Sequence, residues 1–268
     1  MQRTRTMETK VDVVILAAGQ GKRMHKAFPG IPKALVPLAG TPMLLRVCQT
    51  VAASHVAAHT TVVVGPVVQK KVQAALEGRD IHYALQPEPH GTGHAVLCAQ
   101  PILAGAEHIL VLYGDQPLYT PETLRALVER HVAVGAPVSL LTVPLSDFAD
   151  WRSSFIDWGR IVRDADGNFL RDVEAKDATP EELAITEVNP GVYCFRTDWL
   201  WKHLPEVGCK NVQGEYYLTD VLALAVEKGS WVETVPVRDP RETLGANTPE
   251  QLTLLERIFA EMQQKVSR

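Results

Sequence analysis

The sequence predicts an α/β fold with a doubly wound, mostly parallel sheet and a small antiparallel flap. In the first half of the chain, short β-branched apolar runs alternate with helix-like segments of about 10 to 15 residues, as in parallel sheets. The first run, Val11–Leu16, leads directly into a glycine-rich turn. Over about residues 144–190 the alternation stops, and two short strand patterns flank an Asp166-Gly167 turn. This interruption predicts the flap.

The elements of the first half follow in regular order. Thr41-Pro42 supplies a cap and a first-turn proline for one helix, and Thr120-Pro121 does so for another. Ligands of such sheets bind beyond the carboxyl ends of strands, where Gly19 and Asp115 fall. The predicted strands are 11–16, 60–64, 81–85, 108–113 and 138–143, and the predicted helices are 41–54, 67–76, 92–100 and 120–134.

The second half is predicted to contain the flap and then a return of the doubly wound pattern. No repeat or linker separates the two halves, so residues 1–268 are predicted to form one domain. The flap is predicted as strands 159–163 and 168–174 with a polar helix or loop near Thr179-Pro180, and the remainder as strands 192–195 and 231–237 with helices 217–227 and 248–264.

Composition excludes several classes of protein. Hydrophobic residues make up 46% and charged residues 22%, which is typical of a soluble globular chain. A net charge of −4 gives no basic field for nucleic acid, and no apolar run has the length of a membrane span. Residues 1–10 are polar and basic, unlike a signal peptide. We therefore expect a cytoplasmic protein whose four separated cysteines are free thiols.

The glycine-rich turn after the first strand suits a chain of phosphates. Gly19 and Gly21 allow a sharp turn with exposed N–H groups, and Lys22 and Arg23 add positive charge beside it. Neither the dinucleotide fingerprint nor the P-loop pattern fits these residues. Taken alone, the stretch is also compatible with an ordinary tight turn carrying two solvated cations.

Two further stretches carry candidate chemistry. Asp115 follows a buried strand pattern, which is a natural position for Mg²⁺, although an aspartate capping the turn before Pro117 is an alternative. Gln86, Gly91 and Thr92 could read a base edge by hydrogen bonds, although this stretch is also a plain helix entry.

Nine motifs in register resemble the uridylyltransferase, or pyrophosphorylase, family of bacterial GlmU. The resemblance extends from about Val11 to Arg257. The motifs are L-A-A-G-x-G-x-R-M (16–24), P-K (32–33), G-T-P-M-L (40–44), Q-x-x-x-x-G-T-G-H-A (86–95), Y-G-D-x-P-L (113–118), G-R-I (159–161), E-x-K-D-A-T (174–179), N-x-G (189–191) and Q-G-E-Y-Y-L-T-D (213–220).

The resemblance implies a Rossmann-like fold of the nucleotide-diphospho-sugar transferase type and a Mg²⁺-dependent reaction. UTP and N-acetyl-α-D-glucosamine 1-phosphate would give pyrophosphate and UDP-N-acetylglucosamine, a peptidoglycan precursor. It also implies roles for residues: nucleotide binding by Leu16, Ala17, Ala18, Gly19, Gln86, Gly91 and Thr92; phosphate contact and catalysis by Arg23 and Lys33; sugar binding by Tyr113, Gly114, Gly159, Glu174 and Asn189; and Mg²⁺ binding by Asp115 and Asn247.

The implied chemistry needs no general base. A sugar phosphate is already largely dianionic near neutral pH, because its second pKa is about 6. Catalysis would then consist of in-line attack on the α-phosphorus, with cations and loop N–H groups neutralising the departing pyrophosphate. We therefore expect His25, His90 and His94 to be structural or solvated.

Three departures from the family pattern leave details open. Lys22 stands where a threonine is usual, the stretch 28–32 before Lys33 is longer than usual, and Pro190 replaces a threonine and removes a backbone donor. Two alternatives remain: a related nucleotidyltransferase acting on another NTP or another sugar or alditol phosphate, and a non-catalytic nucleotide-sugar binder.

The resemblance also carries an expectation about assembly. GlmU proteins have a C-terminal left-handed β-helix that acetylates glucosamine 1-phosphate and builds a trimer, whereas this sequence ends soon after its predicted last helix. We therefore expect neither acetyltransferase activity nor a trimer, whether the chain is a stand-alone enzyme or an excised domain.

Overall fold

Ten strands form one mixed sheet in this computed structural model, which describes residues 11–19, 21–209 and 214–266. Residues 1–10, Gln20 and Gln213, which entered the sequence analysis, lie outside the described residues. The strands are β1 (Val11–Leu16), β2 (Pro37–Leu38), β3 (Thr41–Pro42), β4 (His59–Val64), β5 (His82–Leu85), β6 (His108–Tyr113), β7 (Val138–Pro144), β8 (Arg160–Arg163), β9 (Phe169–Val173), β10 (Glu187–Val188), β11 (Tyr193–Arg196) and β12 (Val232–Pro236), of which β2 and β3 form a separate hairpin.

The helices lie on both faces of this sheet. Among the described residues, no helix is long and apolar enough to cross a membrane. The helices are α1 (Met43–Ser54), α2 (Gln69–Ala75), α3 (Thr92–Ala99), α4 (Pro121–Val134), α5 (Pro180–Leu183), α6 (Thr197–His203), α7 (Asp220–Glu227) and α8 (Pro249–Val266).

Strand β1 lies at the centre of the parallel half, between β4 and β6, with β5 at the edge. All six of its residues are buried, because helices cover both faces. Val13 and Ile15 belong to the apolar cluster that contains α1, α4 and α8, whereas Val14 and Leu16 belong to the one that contains α3, α6 and α7. Because successive side chains of β1 point to opposite faces of the sheet, the strand contributes to two core layers. The predicted doubly wound fold is confirmed.

The second half of the sheet corrects the prediction that the parallel pattern simply resumes. Strand β11 lies between β6 and β7 and is antiparallel to both. The reason is the flap: the chain leaves β7 at the ligand edge and stays at that edge through β10, so it re-enters the sheet in the opposite direction. Strand β12 then restores the parallel direction beside β7.

The predicted antiparallel flap is confirmed and is joined to the main sheet. Strands β8 and β9 pair antiparallel around a turn in which Asp164 accepts the backbone N–H groups of Asp166 and Asn168. Strand β10 pairs with both β8 and β7, so the flap continues the main sheet. The polar helix or loop predicted near Thr179-Pro180 is helix α5, which begins with a capping box formed by Thr179 and Glu182.

Three helix predictions need correction. Helix α1 begins at Met43 with Pro42 at the N-cap, because Thr41 instead pairs with Leu38 in the β2–β3 hairpin. Helix α2 is shorter than predicted, at Gln69–Ala75. Helix α7 begins at Asp220 rather than at residue 217, because the preceding segment bonds to the turn before α3.

Helix α6 was missed altogether. It begins directly after β11, with no loop between the strand and the helix. With seven residues it is also too short to show a clear helical period.

A buried carboxylate ties together two segments that lead to the site edge. Glu242 is 7% exposed and sits in the 3₁₀ turn Pro240–Thr243. Its Oε2 accepts hydrogen bonds from the hydroxyls of Thr123 (2.5 Å) and Thr120 (3.0 Å), at the N-terminus of α4. Because α4 follows the loop that carries Asp115, and residues 244–247 follow Glu242, this carboxylate sets the two segments side by side.

We expect Glu242→Ala to lower the free energy of unfolding by about 2 to 3 kcal/mol, because it leaves the buried hydroxyl of Thr123 and the half-buried hydroxyl of Thr120 without their carboxylate acceptor. Urea denaturation followed by circular dichroism measures the change. Glu256→Ala, at an exposed position of α8, is the control and should change stability by less than about 0.5 kcal/mol. Equal stabilities of the two variants would contradict this account of Glu242.

Candidate functional site

Two adjoining cavities open at the carboxyl edge of the parallel strands. The first has a volume of about 420 Å³ and the second about 330 Å³. Lys33, Tyr113 and Asp115 line both cavities, so the two spaces meet at these side chains. The parallel topology explains the position, since β1, β4 and β6 all end at this edge.

The turn after β1 forms one wall of the first cavity. Leu16, Ala17, Ala18 and Gly19 all line it, and the Ala17 N–H donates to the carbonyl of Val63 at 2.9 Å. The loop is therefore held to the neighbouring strand β4. These are four of the residues predicted to bind the nucleotide.

Gly21 lets the Lys33 segment approach this turn. Its φ of +58° lies in the left-handed region, and a Cβ there would stand 2.5 Å from the Cβ of Lys33. The sequence left open whether the longer stretch before Lys33 allows this side chain to reach the phosphates. In the structure the stretch is folded into turns, one of which contains the hydrogen bond from the Phe28 N–H to the Met24 carbonyl. Lys33 consequently reaches the cavity.

Gln86, Gly91 and Thr92 form the opposite wall of the first cavity. The Gln86 amide donates to the carbonyl of Gly91 at 3.0 Å, and its nitrogen lies 3.1 Å from His94 Nδ1. The Thr92 hydroxyl accepts the N–H of Leu218 at 2.9 Å. These bonds hold the turn before α3 in a defined shape.

Gly91 has a conformation that only glycine adopts without strain. Its φ is +101°, and a Cβ would stand 2.5 Å from the carbonyl oxygen of Tyr216. The backbone of Tyr216 also bonds to both sides of this turn, accepting from Gly93 and donating to His90. The segment around Tyr216 thus clamps the turn in place.

Two of the three histidines near these loops have side-chain partners of their own. Burial lowers the pKa of His94, whose ring lies against Gln86 and Cys98. His90 pairs with Glu88 at 2.8 Å on the exposed side of the loop. His25 lines a separate, more apolar cavity beside the first.

Lys33, Asp115 and Asn247 converge where the two cavities meet. The Lys33 ammonium lies 2.5 Å from Asp115 Oδ2 and 2.8 Å from Asn247 Oδ1. Both Lys33 and Asp115 are mostly buried, with side-chain exposures of 19% and 12%. Three residues from distant parts of the chain therefore form one charged cluster.

Backbone contacts hold this cluster together. The Ala246 N–H donates to the Asp115 carbonyl at 3.2 Å, and a Cβ on Gly245 would stand 2.8 Å from the same oxygen. The Gln116 side-chain amide donates to the Pro190 carbonyl at 2.9 Å. The Asp115 loop is thereby fixed to the segments that carry Asn247 and Asn189.

The donor set at this cluster suits Mg²⁺. Oxygens of Asp115 and Asn247 both lie within 2.8 Å of one point, which the Lys33 ammonium occupies. Mg²⁺ typically takes one or two protein oxygens and completes its shell with phosphate and water. Within the described ranges, no cluster of three His, Cys, Asp or Glu side chains could hold a metal by itself. Any magnesium bound here would therefore take the rest of its ligands from phosphate or water oxygens.

The second cavity is lined by most of the residues predicted to bind sugar. Tyr113, Gly159, Glu174 and Asn189 line it together with Gly191. Gly191 has a φ of +81°, and a Cβ there would stand 2.5 Å from Tyr113 Cε2, so the ring packs on the glycine. Burial raises the pKa values of both Tyr113 and Glu174.

Gly114 and Arg23 are placed differently from the other predicted residues. The Gly114 N–H donates to the Leu16 carbonyl, and a Cβ would stand 3.1 Å from Leu44, so this glycine lies beneath the cavities. Arg23 is exposed and, among the described residues, has no hydrogen-bond or ion-pair partner. Lys22 rather than Arg23 lines the first cavity.

Sequence reasoning missed Asp172 in the second cavity. Its Oδ2 accepts the amide N–H of Asn189 at 2.9 Å, whereas its buried Oδ1 has no partner among the described residues. Burial, with smaller contributions from Glu174 and Asp220, raises its pKa to about 7. The available signal was spacing, since Asp172 stands two residues before Glu174 and strand periodicity puts both on one face.

Comparisons with known proteins agree with this architecture. The MobA-like NTP transferase domain matches residues 13–147, just over half of the chain. The chain is 46% identical to the bifunctional protein GlmU of Paraburkholderia phytofirmans and 47% identical to that of Burkholderia ambifaria, over 248 residues in each case. These matches cover 92% of this chain but 52% of each relative, so the chain spans about half the length of the curated relatives it matches.

A solved structure supports the fold. The structure of CMP:2-keto-3-deoxy-manno-octonic acid synthetase complexed with CTP matches with a TM-score of 0.70 at 18% identity, covering 95% of this chain and 100% of that chain. The Rossmann-like, nucleotide-diphospho-sugar transferase type of fold and the resemblance to GlmU are thereby confirmed.

We expect Gly21→Ala to weaken binding of a nucleoside triphosphate by at least about tenfold, or about 1.4 kcal/mol. The added Cβ would push Lys33 away from Asp115 and Asn247. Gly30→Ala is the matched control, since Gly30 also has a positive φ of +76° but an added Cβ would meet nothing within 4 Å. Titration calorimetry on both variants separates displacement of Lys33 from backbone strain, and equal losses would contradict the prediction.

Proposed function

The chain belongs to the MobA-like NTP transferase domain family, and from this premise we propose that it transfers the uridylyl group of UTP to N-acetyl-α-D-glucosamine 1-phosphate. The products are UDP-N-acetylglucosamine and pyrophosphate. The observation that carries the proposal is the meeting of two cavities at one cluster, Lys33, Asp115 and Asn247. Such an arrangement suits a reaction that joins two phosphorylated ligands end to end.

The first cavity is the proposed nucleotide site. Its walls offer backbone groups at Ala17 to Gly19, and Gln86 and Thr92 face them across the cavity. Backbone and side-chain amides of this kind recognise the polar edge of a base. Lys22 and Lys33 line the same space and would carry positive charge to the triphosphate.

The second cavity is the proposed site of the sugar phosphate. Glu174 and Asp172 offer acceptors for hydroxyl and N–H groups, and Tyr113 separates this space from the first cavity. The phosphate of the sugar would lie toward Lys33, the cation that the two cavities share. That end of the sugar would then approach the α-phosphorus of the nucleotide.

The reaction proceeds by displacement at phosphorus. An oxygen of the sugar phosphate attacks the α-phosphorus of UTP, the bond to the bridging oxygen breaks, and pyrophosphate leaves with its electron pair. No proton needs to be removed, because the attacking phosphate is already ionised near neutral pH. The chain's role is to align the two anions and to neutralise charge as it develops.

Asp115 and Asn247 are the proposed holders of Mg²⁺, which when bound supplies Lewis acidity and charge neutralisation at the phosphates. Lys33 stands between their oxygens and would turn toward the phosphates as they arrive. Arg23, exposed and without a partner among the described residues, is free to reach the same phosphates. In the proposed mechanism these cations accelerate the reaction by neutralising charge, and no general base takes part.

We expect UTP with N-acetylglucosamine 1-phosphate to be the best pair in a grid of four nucleoside triphosphates and several sugar 1-phosphates. Pyrophosphate release measures each combination. Asp115→Ala should lower the rate by about 10² to 10³, whereas Asp166→Asn, in the exposed flap turn, should leave it unchanged. Best turnover with CTP or with glucose 1-phosphate would overturn the proposed substrates.

We expect Lys33→Met to raise the affinity of the nucleotide-free protein for Mn²⁺, a spectroscopic substitute for Mg²⁺. The variant removes the ammonium that competes for the oxygens of Asp115 and Asn247. Turnover should fall by about 10² to 10³ at the same time, because a phosphate-binding cation is lost. Electron paramagnetic resonance reports bound Mn²⁺, and Lys71→Met, whose exposed ammonium donates to the Gly30 carbonyl, is the control. Unchanged Mn²⁺ binding in Lys33→Met would refute this role of the ammonium.

A further inference from the structure

We propose that Asp172 determines acceptor specificity: with Glu174 it forms a pair of carboxylates that accept hydrogen bonds from the sugar ring, while Asn189 positions Asp172. This inference rests on the proposed function and deepens it. It concerns the chemical class of the acceptor, which must present hydroxyl or N–H donors, and no negative charge, toward strand β9.

The hydrogen bonds of Asn189 are the first observation. Its amide nitrogen donates to Asp172 Oδ2 at 2.9 Å and to the Tyr193 hydroxyl at 3.0 Å. Its carbonyl oxygen accepts the Gly191 N–H at 2.8 Å. Both amide hydrogens are therefore used inside the protein, and Asn189 has no donor left for a sugar.

The unsatisfied oxygen of Asp172 is the second observation. Asp172 lines the second cavity, and its Oδ1 is a buried acceptor without a partner among the described residues. Such atoms are rare in folded proteins, and each requires an explanation. A donor supplied by a ligand in the adjoining cavity would complete the hydrogen bonding of this carboxylate once the groups that cover Oδ1 move aside.

Gly159 leaves room around this carboxylate. A Cβ at Gly159 would collide with both oxygens of Asp172. The Gly159 carbonyl also accepts the N–H of Asn189 at 2.9 Å, so β8, β9 and the Asn189 segment fix the carboxylate from three sides. Its orientation is thus set before any ligand binds.

Charge in the second cavity indicates the class of acceptor. Asp157, Asp172 and Glu174 line it, and its only lysine or arginine within the described chain is Lys33, which lies at the end shared with the first cavity. Burial, with smaller contributions from Glu174 and Asp220, raises the pKa of Asp172 to about 7, so its carboxylate is poorly solvated and becomes fully ionised only above neutral pH. A sugar with neutral donors fits this end, whereas a uronic acid would be repelled.

The experiment compares the acceptor sugar 1-phosphate with its monodeoxy analogues and with the uronic acid 1-phosphate, in wild type and Asp172→Asn. In assays at about pH 8.5, where Asp172 is ionised, asparagine keeps the shape but replaces one carboxylate oxygen by an amide nitrogen that cannot accept a hydrogen bond. We expect the acceptor KM to rise about 10- to 100-fold with kcat within about threefold, as for loss of binding in the ground state. One deoxy analogue that wild type rejects should reach the kcat/KM of the parent sugar in Asp172→Asn. The kcat/KM of the uronic acid should rise relative to that of the parent sugar in the same variant.

Asn189→Ala tests the positioning role. It should lose the same discrimination as Asp172→Asn, and the double variant should lose no more than either single variant. Asp166→Asn, at the exposed tip of the same hairpin, is the control and should keep wild-type ratios. Thermal unfolding of each variant shows whether a loss arises from misfolding; in that case Asp172→Ser replaces Asp172→Asn.

The outcomes separate this inference from the proposed function. If wild type uses a different sugar 1-phosphate, the proposed substrate is wrong, and the deoxy series of that sugar tests Asp172 in the same way. If the kcat/KM of every analogue relative to the parent sugar is the same in Asp172→Asn as in wild type, the inference is overturned while the proposed function stands. If wild type uses no sugar phosphate with any nucleoside triphosphate, both are overturned.

Discussion

The contact of one ammonium with two oxygens is the constraint on which the site depends. Lys33 is 82 residues from Asp115 and 214 residues from Asn247 along the chain, yet its Nζ lies within 2.8 Å of both side chains. This requires Gly21 to leave space beside Lys33 and Glu242 to hold the last segment against α4. A buried cation facing a single carboxylate needs further oxygen partners, and Asn247 supplies one.

The mixed direction of the sheet provides the second cavity. Strands β10 and β11 follow one another along the same side of β7, and residues 189–192 interrupt the pairing between them. In this interruption Asn189 and Gly191 bond to each other and face Tyr113 and Asp172 instead of continuing the ladder. Such irregularities are common next to active sites because they redirect side chains. The parallel half thus forms one cavity, and the antiparallel half forms the other.

The two cavities differ in charge in a way that suits their proposed ligands. The first cavity is lined by two lysines and two carboxylates, namely Lys22, Lys33, Asp115 and Glu215. The second cavity shares Lys33 and Asp115 but is also lined by Asp157, Asp172 and Glu174, so its lining is more negative. Phosphates are drawn toward the lysines, and the donor groups of a sugar toward the carboxylates. The excess of carboxylates in the second cavity would orient an acceptor with its neutral donor groups toward them and its phosphate toward Lys33, so the electrostatics and the shape of the site agree.

The sequence by itself determined the parallel strands, the glycine turns and the motifs that predicted both walls of the first cavity, because local periodicity and glycine positions report burial and backbone shape directly. Only the tertiary structure decided the reversed direction of β11, the existence of α6, and the pairing of Asn189 with Asp172. Strand direction depends on the path of the connecting chain. A hydrogen bond between residues 17 positions apart depends on how the flap folds over the sheet, and no local pattern encodes either.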